Sequence, residues 1–261
     1  FGLSIIDISD LCKPKVVGYL RTHCFCCSKE ECKFNYNSFA TNIVLNSHYV
    51  YITIPSFGFQ VVDIQNPSAP VSVSITEMPN DFPNYYFAKP YVSRINIQGH
   101  YAYVTKSGLH IIQIENVETG NPIQPMTVGR LYTLGELTSG FNSVSITGNY
   151  AYMSSDYQIV VVDISVPSNP RILKSMECTS EDGRCSFIFH GNYAYVLPQL
   201  SIMDVRNPTE PTTILNGIKG IDYAHNFYIH KNYAYISDNN VLKVVDISGF
   251  TLDKNEKFLH E

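Results

Sequence analysis

A pair of tyrosines flanking one small residue recurs five times along the chain, as Tyr49-Val50-Tyr51, Tyr101-Ala102-Tyr103, Tyr150-Ala151-Tyr152, Tyr193-Ala194-Tyr195 and Tyr233-Ala234-Tyr235. Successive copies start 52, 49, 43 and 40 residues apart. A repeat of that length is one supersecondary unit that cannot bury its apolar surface alone, so the fold must stack several of them. A second element follows each pair: VVDIQNPSAP ending at Pro70, IIQIENV ending at Val117, VVDISVPSNP ending at Pro170, IMDVRNPTEP ending at Pro211 and VVDISG ending at Gly249. A sixth copy, IIDISDLCKP, ends at Pro14 with no tyrosine pair before it.

Each complete unit reads as four short strands, here called A to D. In the clearest copy FNSVSIT from Phe141 is strand A, Gly148-Asn149 is a tight hairpin turn and YAYMS is strand B. QIVVVDIS is strand C, a nearly continuous apolar run suited to burial on both faces. SVPSNP then turns the chain, because proline fixes φ and lacks a donor, and RILKSM is a polar, charged outer strand D. No stretch of ten or more residues has capped helical periodicity, so the expected class is all-β.

Four-stranded repeats of this length predict a β-propeller of antiparallel blades. GNYAYMSSDYQIVVVDISVPSNP from Gly148 resembles the LVIVD repeat, a family of bacterial and archaeal proteins, often exported or surface-associated, with WD40-like architecture. The resemblance covers nearly the whole chain and implies a fold without implying an activity. The third unit departs from it, with Gln113 where the others carry aspartate and no compact proline turn. Counting strands gives six blades in one domain over 1–261, the first incomplete, with units near 1–20, 41–75, 92–128, 141–176, 185–215 and 225–261. The last strand D is expected at EKFLH, and the chain is expected to open inside a repeat.

A net charge of -5 with 16% charged residues argues against a surface that tracks nucleic-acid phosphates. No apolar run reaches the roughly 20 residues that span a bilayer as a helix. The opening FGLSIIDIS reads as a strand rather than as a leader.

Extra length falls almost wholly between a strand D and the next strand A: Arg21 to Ala40, Thr76 to Tyr91, Arg130 to Gly140, Glu177 to Arg184 and Asn216 to Ala224. In an up-and-down blade these connections leave from one end, together with the B-to-C turns, so one face is elaborated and the other minimal. The loop NDFPNYYFAKPY concentrates Phe82, Tyr85, Tyr86, Phe87 and Tyr91, which either bind a partner or fold back over the disc as a plug. In strand A, Ile43, Ile95, Val144, Phe187 and Phe227 form an apolar column expected between blades. One residue earlier, Asn42, Arg94, Ser143, Ser186 and Asn226 form a polar column expected at the channel mouth of the looped face, facing water or a ligand. Arg94 is its one charged member and suits an anionic ligand or a partner's carboxylate.

The chain has seven cysteines, and HCFCCSKEEC holds Cys24, Cys26, Cys27, Cys32 and His23 inside the first insertion. The C-x-C-C-x4-C spacing differs from paired C-x-x-C zinc knuckles, so disulfides are the preferred reading, with a metal or free thiols as alternatives. Cys178 and Cys185 flank TSEDGR and form a candidate disulfide; both clusters point to an oxidising, extracytoplasmic compartment. His190 and His230 share a column three residues before the tyrosine pair and read as turn residues. Asp7, Asp63, Asp163, Asp204 and Asp246 recur once per unit before a turn, which is how a turn-binding side chain behaves and not how a catalytic acid does. No glycine-rich phosphate loop, G-x-S-x-G or H-E-x-x-H occurs, and no cofactor is expected.

The expectation is a non-enzymatic binding or assembly module of an exported or surface-associated protein, docking a protein or surface polymer through its looped face. A hydrolase or lyase acting at the channel mouth and a structural subunit of an extracellular assembly are the alternatives. Oligomeric state carries no sequence signal.

Overall fold

Strands form where tyrosine and β-branched residues alternate with small ones, and the computed structural model describes residues 2–22, 40, 42–54, 58–78, 94–106, 108–115, 122–132, 141, 143–155, 158–177, 186–190, 192–221, 224–238 and 240–251. Backbone contacts divide the chain into two units, residues 1–144 with 167–169 and residues 145–166 with 170–261. In the first, β1 (Gly2–Asp7) and β2 (Lys15–Arg21) form a two-stranded sheet. Two four-stranded sheets follow: β3 (Asn42–Asn46), β4 (Tyr49–Ile54), β5 (Gly58–Asp63) and β6 (Val71–Glu77), then β7 (Arg94–Gln98), β8 (Tyr101–Thr105), β9 (Gly108–Glu115) and β10 (Pro122–Tyr132).

The next sheet holds β11 (Ser143–Thr147), β12 (Tyr150–Ser154), β13 (Gln158–Asp163) and β14 (Arg171–Glu177). It is followed by β15 (Ser186–His190), β16 (Tyr193–Leu197), β17 (Ser201–Asp204) and β18 (Thr212–Leu215). The last sheet has three strands, β19 (Ala224–His230), β20 (Tyr233–Asp238) and β21 (Val241–Asp246), followed by a single helical turn, α1 (Ser248–Thr251). All pairings are antiparallel and each sheet keeps sequence order from A to D.

In four of the sheets the repeat residues build the turn end in the same way. The first tyrosine of each pair sits opposite the recurrent aspartate of strand C, as in Tyr49↔Asp63, Tyr150↔Asp163, Tyr193↔Asp204 and Tyr233↔Asp246. Each aspartate then accepts, through Oδ1, the backbone N–H two residues on: Ser9 to Asp7 (2.9 Å), Gln65 to Asp63 (2.7 Å), Ser165 to Asp163 (2.9 Å), Arg206 to Asp204 (2.9 Å) and Ser248 to Asp246 (2.8 Å). The residue after the recurrent aspartate, or after Gln113 in β9, donates its N–H to the carbonyl just before the tyrosine pair, from Ile64 to His48, Ile114 to His100, Ile164 to Asn149, Val205 to Asn192 and Ile247 to Asn232. The A–B turn is thereby stapled to the C–D turn. Gly99 and Gly148 supply the left-handed residue that this two-residue A–B turn requires, at φ +56° each.

Packing between sheets follows one rule within each unit. The second tyrosine and alternate strand C residues of one blade meet the strand A apolar residue and central alanine of the next: Tyr51, Phe59 and Val61 against Ile95 and Ala102, and Tyr152 and Val161 against Phe187 and Ala194. Strand B is therefore buried on both faces, with Ala102, Ala151 and Ala234 at 0% exposure.

Two expectations are corrected. Five sheets of three or four strands are present among the described residues, giving five blades in place of six, because β1–β2 has one ladder and no inner pair. The apolar strand A column is buried at Ile95, Val144, Phe187 and Phe227, but Ile43 is 55% exposed. The reason is the same: β3 follows the two-stranded sheet, which has no second tyrosine to cover it.

Candidate functional site

The end of each sheet opposite the stapled turns is where strand A begins and strand B finishes, and where the sequence insertions attach. In the first unit its polar groups are engaged one by one. Asn42 opens β3 with its side chain half-buried, and its Oδ1 accepts the N–H of Ile95 in the neighbouring blade at 3.4 Å. The Thr53 hydroxyl donates to the Asn42 carbonyl at 3.2 Å, and the Thr105 hydroxyl accepts the N–H of Arg94 at 3.2 Å. These bonds pin the start of strand A to the end of strand B. They leave the Arg94 side chain exposed.

Beside it in sequence register, Lys106 is 1% exposed and donates from Nζ to the carbonyl of Met78 at 2.8 Å, reaching from one blade's B–C turn to the end of its neighbour's strand D. A buried ammonium needs such partners, since desolvation of an unpaired charge costs several kcal/mol. In the second unit Ser154 and Ser155 are fully buried at the corresponding end, and the Ser155 hydroxyl accepts the N–H of Gln158 at 3.2 Å. In the last sheet Lys243 spans the B–C hairpin to donate to the buried carboxylate of Asp238 and to the carbonyl of Gly220.

Of the expected site residues, the structure brings together Asn42 and Arg94. Asn226 lies in β19, with its side chain outside the described set. Phe82, Tyr85, Tyr86, Phe87, Tyr91, Cys24, Cys26, Cys27, Cys32, Cys178, Cys185 and His23 lie outside the described residues. Cys12 is an exposed free thiol in the β1–β2 turn. His190 and His230 close the A–B hairpins opposite Tyr193 and Tyr233.

The repeat residues are occupied by structure. Burial pushes the phenols of Tyr51, Tyr152 and Tyr195 up to about 12, which removes them as acids or bases near neutrality. Hydrogen bonds hold Asp7, Asp163, Asp204 and Asp246 below the usual carboxylate value: the backbone N–H of Ser9 and of Ser248 for the first and last, the Ser165 hydroxyl for Asp163 and the Arg206 side chain for Asp204.

Sequence reasoning missed one cluster at the stapled end. Glu115 accepts from Asn46 Nδ2 at 3.1 Å in the preceding blade and lies 3.2 Å from His100 Nδ1. The departure of the third repeat at Gln113 was the signal that could have found it. Among the described residues no three His, Cys, Asp or Glu are grouped to hold a metal ion. Between the two blades Ser143–Glu177 and Ser186–Leu215 lies an apolar void of about 10 Å³ lined by Tyr152, Ile159, Met176 and Phe187, too small for more than one water-sized body.

The model of the LVIVD repeat matches residues 1–22, 39–77, 90–133, 141–177, 185–216 and 222–251, so its successive copies coincide with the six sheets. The chain belongs to the LVIVD-repeat family. Among solved structures, this LVIVD chain is similar to the periplasmic gluconolactonase PpgL of Pseudomonas aeruginosa, at 12% identity and a TM-score of 0.67 over 90% of this chain and 69% of that one. A protein from Lactobacillus plantarum matches at 12% identity and a TM-score of 0.65 over 79% of this chain and 67% of that one. The β-propeller domain of Cps50 (Swd1) from Myceliophteria thermophila matches at 14% and 0.52, over 78% and 68%. At such identities the likeness shows the fold, an all-β propeller with antiparallel four-stranded blades. Comparison with the curated proteins gives no match. No described helix is long and apolar enough to cross a membrane.

Proposed function

We propose that this LVIVD chain is a non-enzymatic, extracytoplasmic binding module whose looped blade ends dock an acidic protein surface or a carboxylate-bearing surface polymer. The observation that carries the reading is the contrast at that end of the first unit: Asn42, Thr53, Thr105 and Lys106 are spent on holding neighbouring strands, while the Arg94 guanidinium stands exposed on a backbone they fix. A guanidinium presented this way matches a carboxylate with two parallel hydrogen bonds. The aromatic insertion between β6 and β7, with Tyr85, Tyr86 and Phe87, attaches at the same end and supplies apolar contact area.

The test uses polygalacturonate and polyglutamate as probes, with neutral dextran as control. Arg94→Ala lowers affinity for the acidic probes about tenfold or more, as loss of a charge-assisted pair does, with the thermal midpoint unchanged. Alanine at Tyr85, Tyr86 and Phe87 weakens capture in the same way. If those three changes lower stability and spare binding, the rings belong to the core and the reading fails. A second reading, a hydrolase acting at the same end, draws on the likeness to a protein named as a gluconolactonase. Acid release from glucono-δ-lactone above the buffer rate, lost in Arg94→Ala, decides for it.

A further inference from the structure

In the second unit the connection that leaves β18 and enters β19 is folded back on itself and hydrogen-bonded in place. After Asn216 it turns through Gly217 and Gly220, whose φ of +80° and +84° lie in the left-handed region. The Ile218 N–H donates to the Gln199 carbonyl in the β16–β17 turn at 2.8 Å, and the Ile221 N–H donates to the Ile218 carbonyl at 3.0 Å. Where the connection becomes strand, the Ala224 N–H donates to the Pro198 carbonyl at 3.3 Å. Ile221, 3% exposed, packs in the core cluster of Tyr195, Leu200, Ile202, Phe227 and Ile236 that joins the two blades.

A side chain of β21 reaches across to this connection. Lys243 stands three residues before the recurrent Asp246, at the place that Gln60 and Val160 fill as buried residues in β5 and β13. It lies opposite Ile236 in the ladder, and so on the sheet face that packs against the blade β15–β18. From there Nζ donates both to the Gly220 carbonyl and to the buried carboxylate of Asp238. Asp238 in turn sits opposite Ala224, the first residue of β19. One ammonium thereby ties the turn at Gly220 to the β20–β21 hairpin, and the buried carboxylate keeps it there, because parting the two charges leaves one of them buried without its counter-charge.

We infer that residues 216–221 form a strap over this blade junction and that Lys243 is its latch. The strap opens as a unit about Gly217 and Gly220, and the ammonium sets how rarely it does so. Opening withdraws Ile221 from the junction cluster and frees the Gln199 carbonyl, so the looped end of this junction has a closed state and an open one. Local opening of this kind has its own free energy, below that of global unfolding. The inference is independent of the ligand reading, which concerns Arg94 in the other unit.

Amide hydrogen exchange in the full chain, read residue by residue, tests it. In Lys243→Met the Ile218 and Ile221 amides exchange about tenfold faster or more, as loss of a charge-assisted hydrogen bond allows. The staple amides of Val205 and Ile247, in the same two blades, keep the rates of the unsubstituted chain. Lys243→Met combined with Asp238→Asn guards against a fold weakened by an unpaired buried carboxylate. It gives the same selective rise, because the Gly220 carbonyl still lacks its donor. Unchanged exchange at Ile218 and Ile221 in the double variant overturns the inference and assigns Lys243 to the carboxylate alone. A rise shared equally by Val205 and Ile247 in that variant also overturns it, since Lys243 then supports the whole unit and latches nothing.

Discussion

In the third blade, β11–β14, Asp163 accepts the N–H of Ser165 and closes a compact C–D turn, whereas in the second, β7–β10, Gln113 donates from Nε2 to the carbonyl of Glu115 at 3.1 Å. The strands on either side are alike: Tyr101↔Gln113 repeats Tyr150↔Asp163, and both blades keep the backbone staple from strand C to the A–B turn. The change in sense of that one side-chain hydrogen bond goes with a longer connection, since Gln113 pairs with Met126 while Asp163 pairs with Arg171. It also goes with a carboxylate released for other work. Glu115 reaches Asn46 and His100 and ties two blades together, while Ser165 at the matching place donates within its own turn. A repeat position relieved of turn duty becomes available for contact between repeats.

The comparison can be broken first at what the two blades share. Tyr103→Ala and Tyr152→Ala each empty a buried aromatic site and should cost about 3–5 kcal/mol in denaturant unfolding. Losses differing by much more than about 1 kcal/mol would show that the tyrosine column is not one structural role. Next comes a position where the blades differ. A Cβ on Gly108 would stand 2.2 Å from the Leu131 carbonyl oxygen, so Gly108→Ala should cost about 1–3 kcal/mol. Gln158 fills the matching place in the third blade, and Gln158→Ala should stay within about 0.5 kcal/mol.

Glu115→Gln removes the carboxylate that lies 3.2 Å from His100 Nδ1, in a contact whose partners are 35% and 17% exposed, and should cost about 0.5–1 kcal/mol in denaturant unfolding. The smallest effect is a slope. Hydrogen bonds from Ser165 hold the Asp163 carboxyl below its unfolded value, so its contribution is present above about pH 4 and is lost as pH falls through the lower folded value. Asp163→Asn should flatten the acid limb of stability against pH, while Gln113→Asn should leave it unchanged. At the other extreme Tyr152, at about 12, stabilises below pH 10 and loses that contribution as pH rises from about 10 to 12.

Much of this fold is written in the repeat itself. The tyrosine pairs and aspartates mark the hairpins because their spacing reflects local ladders and a two-residue contact, both functions of near neighbours. The blade count and the exposure of Ile43 were not legible. Each depends on whether an inner hairpin accompanies β1, and apolar character in a column says nothing about which neighbour is there to cover it. The Glu115 clasp was illegible for a related reason, since Asn46 lies 69 positions away and only the stacking of blades brings it near. At the candidate site, Arg94 was visible as the one charge in a polar column, but Lys106 sits outside that column, and its role depends on the Met78 carbonyl of another blade.

The staple from strand C to the A–B turn has a consequence for how such a chain can change over time. The N–H of Ile64 on the His48 carbonyl, repeated in the four later blades, couples two hairpins through their turns. A residue inserted in either turn would displace both ladders at once, whereas one inserted at the opposite end displaces neither. Heritable variation in length is thereby channelled to one side of each blade. A protein engineer grafting foreign loops would meet the same asymmetry, with one side open to new sequence and the other closed to it.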